Sequence, residues 1–122
     1  MTFEEFKKIC LKHYEEIVNA FCESAFSYNI IFPKNEIEYT YYFQNNNEYL
    51  FIINGETYHN NLSGNINLVI RLDIETNSIK AYFDYSYDYF DGDCNGFDFT
   101  SEYELNEHFW NDLINEISSV MY

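Results

Sequence analysis

The chain opens on a helical pattern. Phe3, Phe6, Cys10, Tyr14, Ile17, Phe21 and Tyr28 recur at helical spacing and form one apolar stripe. Lys7, Lys8, Lys12, Glu15, Glu16 and Glu23 fall mostly outside it. Thr2 and Glu5 make a capping box, in which the threonine oxygen takes the Glu5 amide and the glutamate reaches back. Asn29 is a stop signal and Pro33 forbids continuation, so the spacing predicts a helix over 3–28. The period then changes to two. Ile37, Tyr39, Tyr41 and Phe43 alternate with Glu36, Glu38, Thr40 and Tyr42, a strand over 36–43, and Asn45-Asn46-Asn47 reads as a turn. Residues 48–53 form a second strand, apolar on both faces and therefore expected inside the sheet. Asn54-Gly55 is the strongest short hairpin signal in the chain, to be followed by a short strand at 56–59 and a loop at 60–64.

From Asn65 to Phe90 the pattern predicts a hairpin. Ile66, Leu68, Ile70, Leu72 and Ile74 alternate with Asn65, Asn67, Val69, Arg71 and Asp73, and after Glu75-Thr76-Asn77-Ser78 the residues Ile79, Ala81, Phe83, Tyr85 and Tyr87 alternate with Lys80, Tyr82, Asp84, Ser86 and Asp88. A loop over 75–78 pairs Ile74 with Ile79, Leu72 with Ala81 and Ile70 with Phe83, and sets Asp73 opposite Lys80 and Arg71 near Asp84. Residues 91–95 read as a loop. Thr100 or Ser101 then caps a last helix to about residue 121, with a second capping box in Ser101-Glu102-Tyr103-Glu104 and a stripe of Leu105, Phe109, Trp110, Leu113, Ile117 and Val120. The expectation is a single α+β domain over 1–122: an N-terminal helix, an antiparallel meander of four to five strands and a C-terminal helix. Both helices pack on one face of the sheet and leave the other open.

Charge changes the picture most. Twenty-one Asp and Glu face six Lys and Arg, a formal net charge of −15. After Lys80 there is no Lys or Arg, while ten acids follow from Asp84 to Glu116. Such a field repels nucleic acid and anionic lipid and attracts cationic proteins. The aromatic share of 21% argues against a disordered acidic chain. No signal-peptide pattern or membrane-length apolar run is evident, and the three scattered cysteines suit a reducing compartment, so the cytoplasm is expected. An abundance of Asn, Ile, Tyr and Phe, with three Ala and one Arg, is what A+T-rich genes encode, as in low-GC bacteria and phages.

Catalytic patterns are absent: no G-x-S-x-G, no phosphate loop, no H-E-x-x-H. His13 flanks the first helix stripe, and His108 falls on the polar side of the last helix. The chain is expected to be no enzyme and to need no cofactor. One motif does match: Asp91 to Glu102 fits the EF-hand loop pattern, with Asp91, Asp93, Asn95 and Glu102 as oxygen donors for calcium, although Asp98 replaces that family's apolar residue. The bland reading of the same stretch is an acidic turn with favourable charges at a helix N-terminus.

The remaining constellation is acidic and aromatic. Tyr82, Asp84, Ser86, Asp88 and Phe90 alternate onto the open face, and Tyr42 and Glu38 join them from the first strand. Tyrosine beside carboxylates suits the anchoring of a basic protein. In size, charge and layout the chain resembles the small acidic immunity proteins of bacterial contact-dependent and polymorphic toxin systems. That resemblance implies a stoichiometric inhibitor of a cognate toxin domain, often a basic nuclease. Asp84, Asp88, Asp91, Asp93 and Asp98 would meet the toxin's cations, with Tyr82 and Phe90 as anchors. A phage-encoded inhibitor of a defence nuclease, an anti-CRISPR or DNA mimic, has the same physics, and a calcium-binding module is a third reading.

Overall fold

Thr2 begins the first helix as its spacing predicts: its Oγ1 accepts the Glu5 amide at 3.1 Å. A computed structural model describes residues 1–59, 61–87, 90–99 and 107–119, with backbone alone at 59 and 90–99. Helix α1 spans Phe3–Ser27. It closes where Asn29 adopts a φ of 64° and the Ile30 amide turns back to the Ala25 carbonyl at 3.1 Å. A short 3₁₀ turn, Lys34–Glu36, leads into five strands: β1 (Ile37–Gln44), β2 (Glu48–His59), β3 (Leu62–Asp73), β4 (Ser78–Tyr87) and β5 (Phe90–Phe99). Helix α2 spans Glu107–Ser119. The strands form one antiparallel sheet in chain order. The fold is α+β, an N-terminal helix, a meander and a C-terminal helix, with both helices on one face.

The Asn54-Gly55 turn does not form. β2 runs straight through, with Asn54 opposite Asn67 and Gly55 opposite Ile66, and the chain reverses near Asn61, whose φ is 65°. Gly55 serves close approach instead. A Cβ there would lie 2.8 Å from the Glu36 carbonyl oxygen and 3.1 Å from Ile37 Cγ1. The glycine lets β1 lie flat on β2 rather than turning the chain.

The β3–β4 register is displaced by two residues from the expected one. Leu72 faces Ile79, Ile70 faces Ala81 and Leu68 faces Phe83. Asp73 therefore sits opposite Ser78 rather than Lys80, and Arg71 sits opposite Lys80 rather than near Asp84. The turn explains the shift. Asp73 Oδ1 accepts the amides of Glu75 at 2.9 Å and Thr76 at 3.3 Å, and Asn77 takes a φ of 54°. The loop therefore closes at 74–77 and expels Ile74 into solvent. A shift of two keeps every side chain on its face, so alternation cannot distinguish the two registers.

The expected loop at 91–95 is strand β5, paired with β4 and interrupted by a bulge opposite the Ala81–Phe83 stretch. The caps expected at Thr100 and Ser101, the Ser101-Glu102-Tyr103-Glu104 box, Leu105 and Val120 lie outside the described residues. Among the described residues no helix is long and apolar enough to cross a membrane.

The inner face of the sheet carries the core. Phe51, Ile53, Ile66, Leu68, Ile70 and Phe83 are fully buried there, each contributing about 1.5–3 kcal/mol. α1 crosses this face obliquely. Phe3 packs on Tyr41, Phe43 and Tyr49 of β1 and β2, while Phe21 meets Phe83 edge-on at 5.8 Å and Tyr28 packs on Tyr87 at 5.4 Å. A second flank of α1, with Phe6, Cys10, His13, Ile17, Ala20 and Ser24 buried at three- and four-residue spacing, is free to receive α2, to which Ser24 donates at the Ile117 carbonyl. α2 contributes Phe109, Trp110, Leu113 and Ile117 to the core.

His13, a boundary residue by sequence, is 6% exposed and stacks on Trp110 at 4.3 Å with the rings 14° apart. Its Nδ1 is buried without a hydrogen-bond partner among the described residues. Burial pulls the imidazole pKa below its ordinary 6.5, against the upward pull of Glu16 and Glu107, and Lys12 adds a smaller downward push. The native state thus holds His13 neutral while the unfolded chain accepts a proton near 6.5. Stability from this site is complete above that value and lost as the pH falls through it. The melting temperature is expected to drop between about pH 7.5 and about pH 5.5, and His13→Phe is expected to flatten that part of the profile. Parallel profiles for wild type and variant, measured by circular dichroism, would contradict this assignment.

Candidate functional site

The open face of the sheet is read from the pairing register. One row runs Gln44, Glu48, Asp73, Ser78, and the next Tyr42, Leu50, Arg71, Lys80. The third is Thr40, Ile52, Val69, Tyr82, and the fourth Glu38, Asn54, Asn67, Asp84. The fifth is Glu56, Asn65, Ser86. Three zones result: a mixed-charge end, an apolar band and an acidic, amide-rich end.

At the mixed end cation and carboxylate stand side by side. Arg71 Nε lies 3.8 Å from Glu48 Oε2, and Gln44 Nε2 donates to the same carboxylate oxygen at 2.8 Å. In the middle, Leu50 and Val69 are buried although they face away from the helices, covered by neighbours that include the half-open rings of Tyr42 and Tyr82.

At the acidic end two depressions adjoin. The first, about 510 Å³, is lined by Glu36, Glu38, Glu56, Asn54, Asn65 and Asn67 among others. The second, about 560 Å³, shares Glu36, Glu56 and Asn65 and adds Tyr58, Ser63 and Ser86. Asn65 Nδ2 donates to Glu56 Oε1 at 3.4 Å, which orients that carboxylate on the sheet. Glu38, Glu56 and Asp84 are exposed. The open-face cations stand four residues away along β3 and β4, roughly 13 Å. The Debye length is about 8 Å at physiological salt, so Arg71 and Lys80 scarcely offset the acidic end. Lys34, close in sequence, turns to Glu15 on α1 at 3.9 Å.

Comparison with protein-family models, curated proteins and solved structures finds no match to this chain.

Of the residues singled out by sequence, Tyr82 and Asp84 stand on the open face, as do Glu38 and Tyr42. Asp88 and Glu102 lie outside the described residues. Phe90 is a correction. It pairs with Tyr87, whose ring is buried on the inner face with its hydroxyl donating to the Phe21 carbonyl at 3.4 Å, so its position does not continue the Tyr82 row. Asp91, Asp93 and Asp98 hold register positions opposite Ser86, Asp84 and Lys80. The EF-hand reading fails on its backbone. Asp91 to Asn95 is extended strand, about 13 Å end to end, whereas a calcium loop must wrap one ion. Among the described residues no group of three or more His, Cys, Asp or Glu is placed to hold a metal. Cys10 is buried and its thiol pushed well up by desolvation, which leaves it a poor nucleophile.

The sequence pattern alone does not mark Glu36, Glu56, Asn54, Asn65 and Asn67 as site residues. Reading Asn54-Gly55 as a turn cut β2 short and hid the alternation of Asn54, Glu56 and Tyr58 that places them on one face.

Proposed function

We propose that this chain is a stoichiometric binding inhibitor of the immunity-protein kind. It holds a cationic protein, such as a basic nuclease toxin domain, on the acidic end of its open sheet face and performs no chemistry on it. The observation that carries the reading is the segregation of charge on that face. Glu36, Glu38 and Glu56 line a shallow groove, Asp84 stands beside it opposite Asn67, and the face's own cations stand beyond the screening length. The carboxylates accept bonds from arginine and lysine, and the amides of Asn54, Asn65 and Asn67 add donors and acceptors between them. The apolar band through Ile52, Val69 and Tyr82 supplies contact area beside the charges. The immunity role itself rests on the resemblance in size, charge and layout.

The test pairs this chain with the product of its adjacent gene. Co-expression is expected to relieve that protein's toxicity at equal stoichiometry. Combining Glu38→Lys, Glu56→Lys and Asp84→Lys is expected to weaken binding at least about 100-fold near 0.1 M salt and to flatten its salt dependence. Unchanged affinity with an unchanged salt slope would remove the acidic end from the interface.

A further inference from the structure

The two edges of this sheet are built differently. β5 carries Asp91, Gly92, Asp93, Gly96 and Asp98 and is broken by a bulge, which are devices that blunt a free edge. β1 has no glycine and no bulge, and a single acid, Glu38, near its start. Its eight residues, Ile-Glu-Tyr-Thr-Tyr-Tyr-Phe-Gln, contain no proline, lysine or glycine and pair with β2 without a bulge. Among the described residues no strand pairs with its outer side. A groove of about 450 Å³ runs along it, lined by Tyr39, Thr40, Tyr41 and Tyr42.

The aromatic rings of β1 are held in place on their inner flank. Tyr14 meets Tyr39 at 5.0 Å, Phe3 meets Tyr41 at 6.0 Å and Phe43 at 5.8 Å, and Tyr39 stacks on Phe51 at 5.6 Å. Their outer flank is open: Tyr39, Tyr41 and Phe43 are 40%, 42% and 45% exposed. Lys7 Nζ lies over the Tyr41 ring at 4.4 Å and is paired with Glu4, while the backbone edge itself is straight and, among the described residues, unpaired, the arrangement that recruits another strand.

We infer that this edge pairs with β1 of a second copy, antiparallel and two-fold about Tyr41, to make one sheet of ten strands. Residues opposite each other in an antiparallel pair share a face, so the axis must pass through a residue rather than between two. With Tyr41 on the axis, Tyr39 faces the second copy's Phe43 on the helix side. Thr40 then faces its Tyr42, and Glu38 its Gln44, on the open side. The strand's one acid meets a neutral amide, and no like charges oppose one another. This matters in a chain of net charge −15, for which any second copy is otherwise repulsive. The inference goes beyond the proposed function and uses the outer edge of β1, which shares only Glu38 with the acidic end. It places the open faces of both copies side by side, each with its own acidic end.

The test is sedimentation velocity on the full chain across about 1–500 µM. The mass is expected to rise from 14.7 kDa toward twice that value. The midpoint is expected to fall severalfold in concentration when salt increases from about 0.05 M to about 0.5 M, because screening relieves the repulsion between copies. Capture of a cationic partner weakens over the same range, so the two surfaces are told apart.

Thr40→Lys with Tyr42→Lys sets lysine against lysine twice across the seam. It is expected to raise the midpoint about tenfold or more although it lowers the net charge. Thr40→Lys with Tyr42→Glu sets opposite charges at the same places and is expected to stay within about threefold of wild type. Thermal melts confirm that both variants are folded. A chain that stays at 14.7 kDa at the highest concentration and salt overturns the inference. So do two double variants with equal midpoints, or an edge that takes up a foreign strand but not its own copy.

Discussion

Replacing Trp110 with alanine is expected to destabilise the fold by about 3–5 kcal/mol. Trp110 is 1% exposed, stacks on His13 at 4.3 Å and meets Phe109 edge-on at 4.9 Å. It is the largest buried side chain of α2, the others being Phe109, Leu113 and Ile117, and it stacks on His13 of α1. Domains of this size hold about 5–15 kcal/mol in all, so the variant is expected to be partly unfolded at physiological temperature. The conservative change separates volume from chemistry. The indole Nε1 is buried without a hydrogen-bond partner among the described residues, and so is the Nδ1 of the ring stacked on it. An unsatisfied buried donor costs about 1–3 kcal/mol, and Trp110→Phe removes it while keeping an aromatic face against His13. Trp110→Phe is therefore expected to lie within about 1.5 kcal/mol of wild type. Urea denaturation of the three proteins decides the matter: equal losses for the alanine and phenylalanine variants would mean that the indole nitrogen, not the packed volume, holds the helices together.

What the sequence revealed about this fold follows from what a side-chain pattern can encode. Periods of 3.6 and 2 separate helix from strand, and the stripe from Phe6 to Phe21 and the alternation from Ile66 to Tyr87 were both legible. The pattern is silent about displacements of two. Leu72 opposite Ile79 and Leu72 opposite Ala81 bury the same face, and the choice was made by the Asp73 carboxylate holding the amides of Glu75 and Thr76. Small and polar core residues were equally hidden. Ala20, Ser24 and His13 line the α2 contact, and none carries an apolar signal strong enough to mark a second buried flank. The candidate site suffered from one misread glycine. Glu38 and Asp84 were visible as outward positions of clear strands, but Glu56 and its amide neighbours emerge only when β2 is allowed to continue past Gly55.

Gly55→Val is expected to destabilise the protein by about 1–3 kcal/mol and to damage the acidic end more than its modest size suggests. No positive φ demands glycine here, since no glycine in the described residues has one. The demand is steric. The first atom of any side chain would stand 2.8 Å from the Glu36 carbonyl oxygen, a backbone atom that no rotamer change can move. β1 must lift from β2 where Ile37 pairs with Gly55, and the 3₁₀ turn at Lys34–Glu36 must move with it. Glu36 and Glu38 flank that pair and line the groove shared with Glu56. The variant thus displaces two of the four carboxylates of the proposed interface without changing any charge. Gly55→Ala meets the same contact with less bulk beyond it and is expected to show a smaller version of both effects. If binding to the cationic partner falls in step with the displacement while net charge stays constant, placement of the carboxylates is what the partner reads. If both variants bind as wild type does, the surplus charge acts only as a diffuse field, and the groove has no part in recognition.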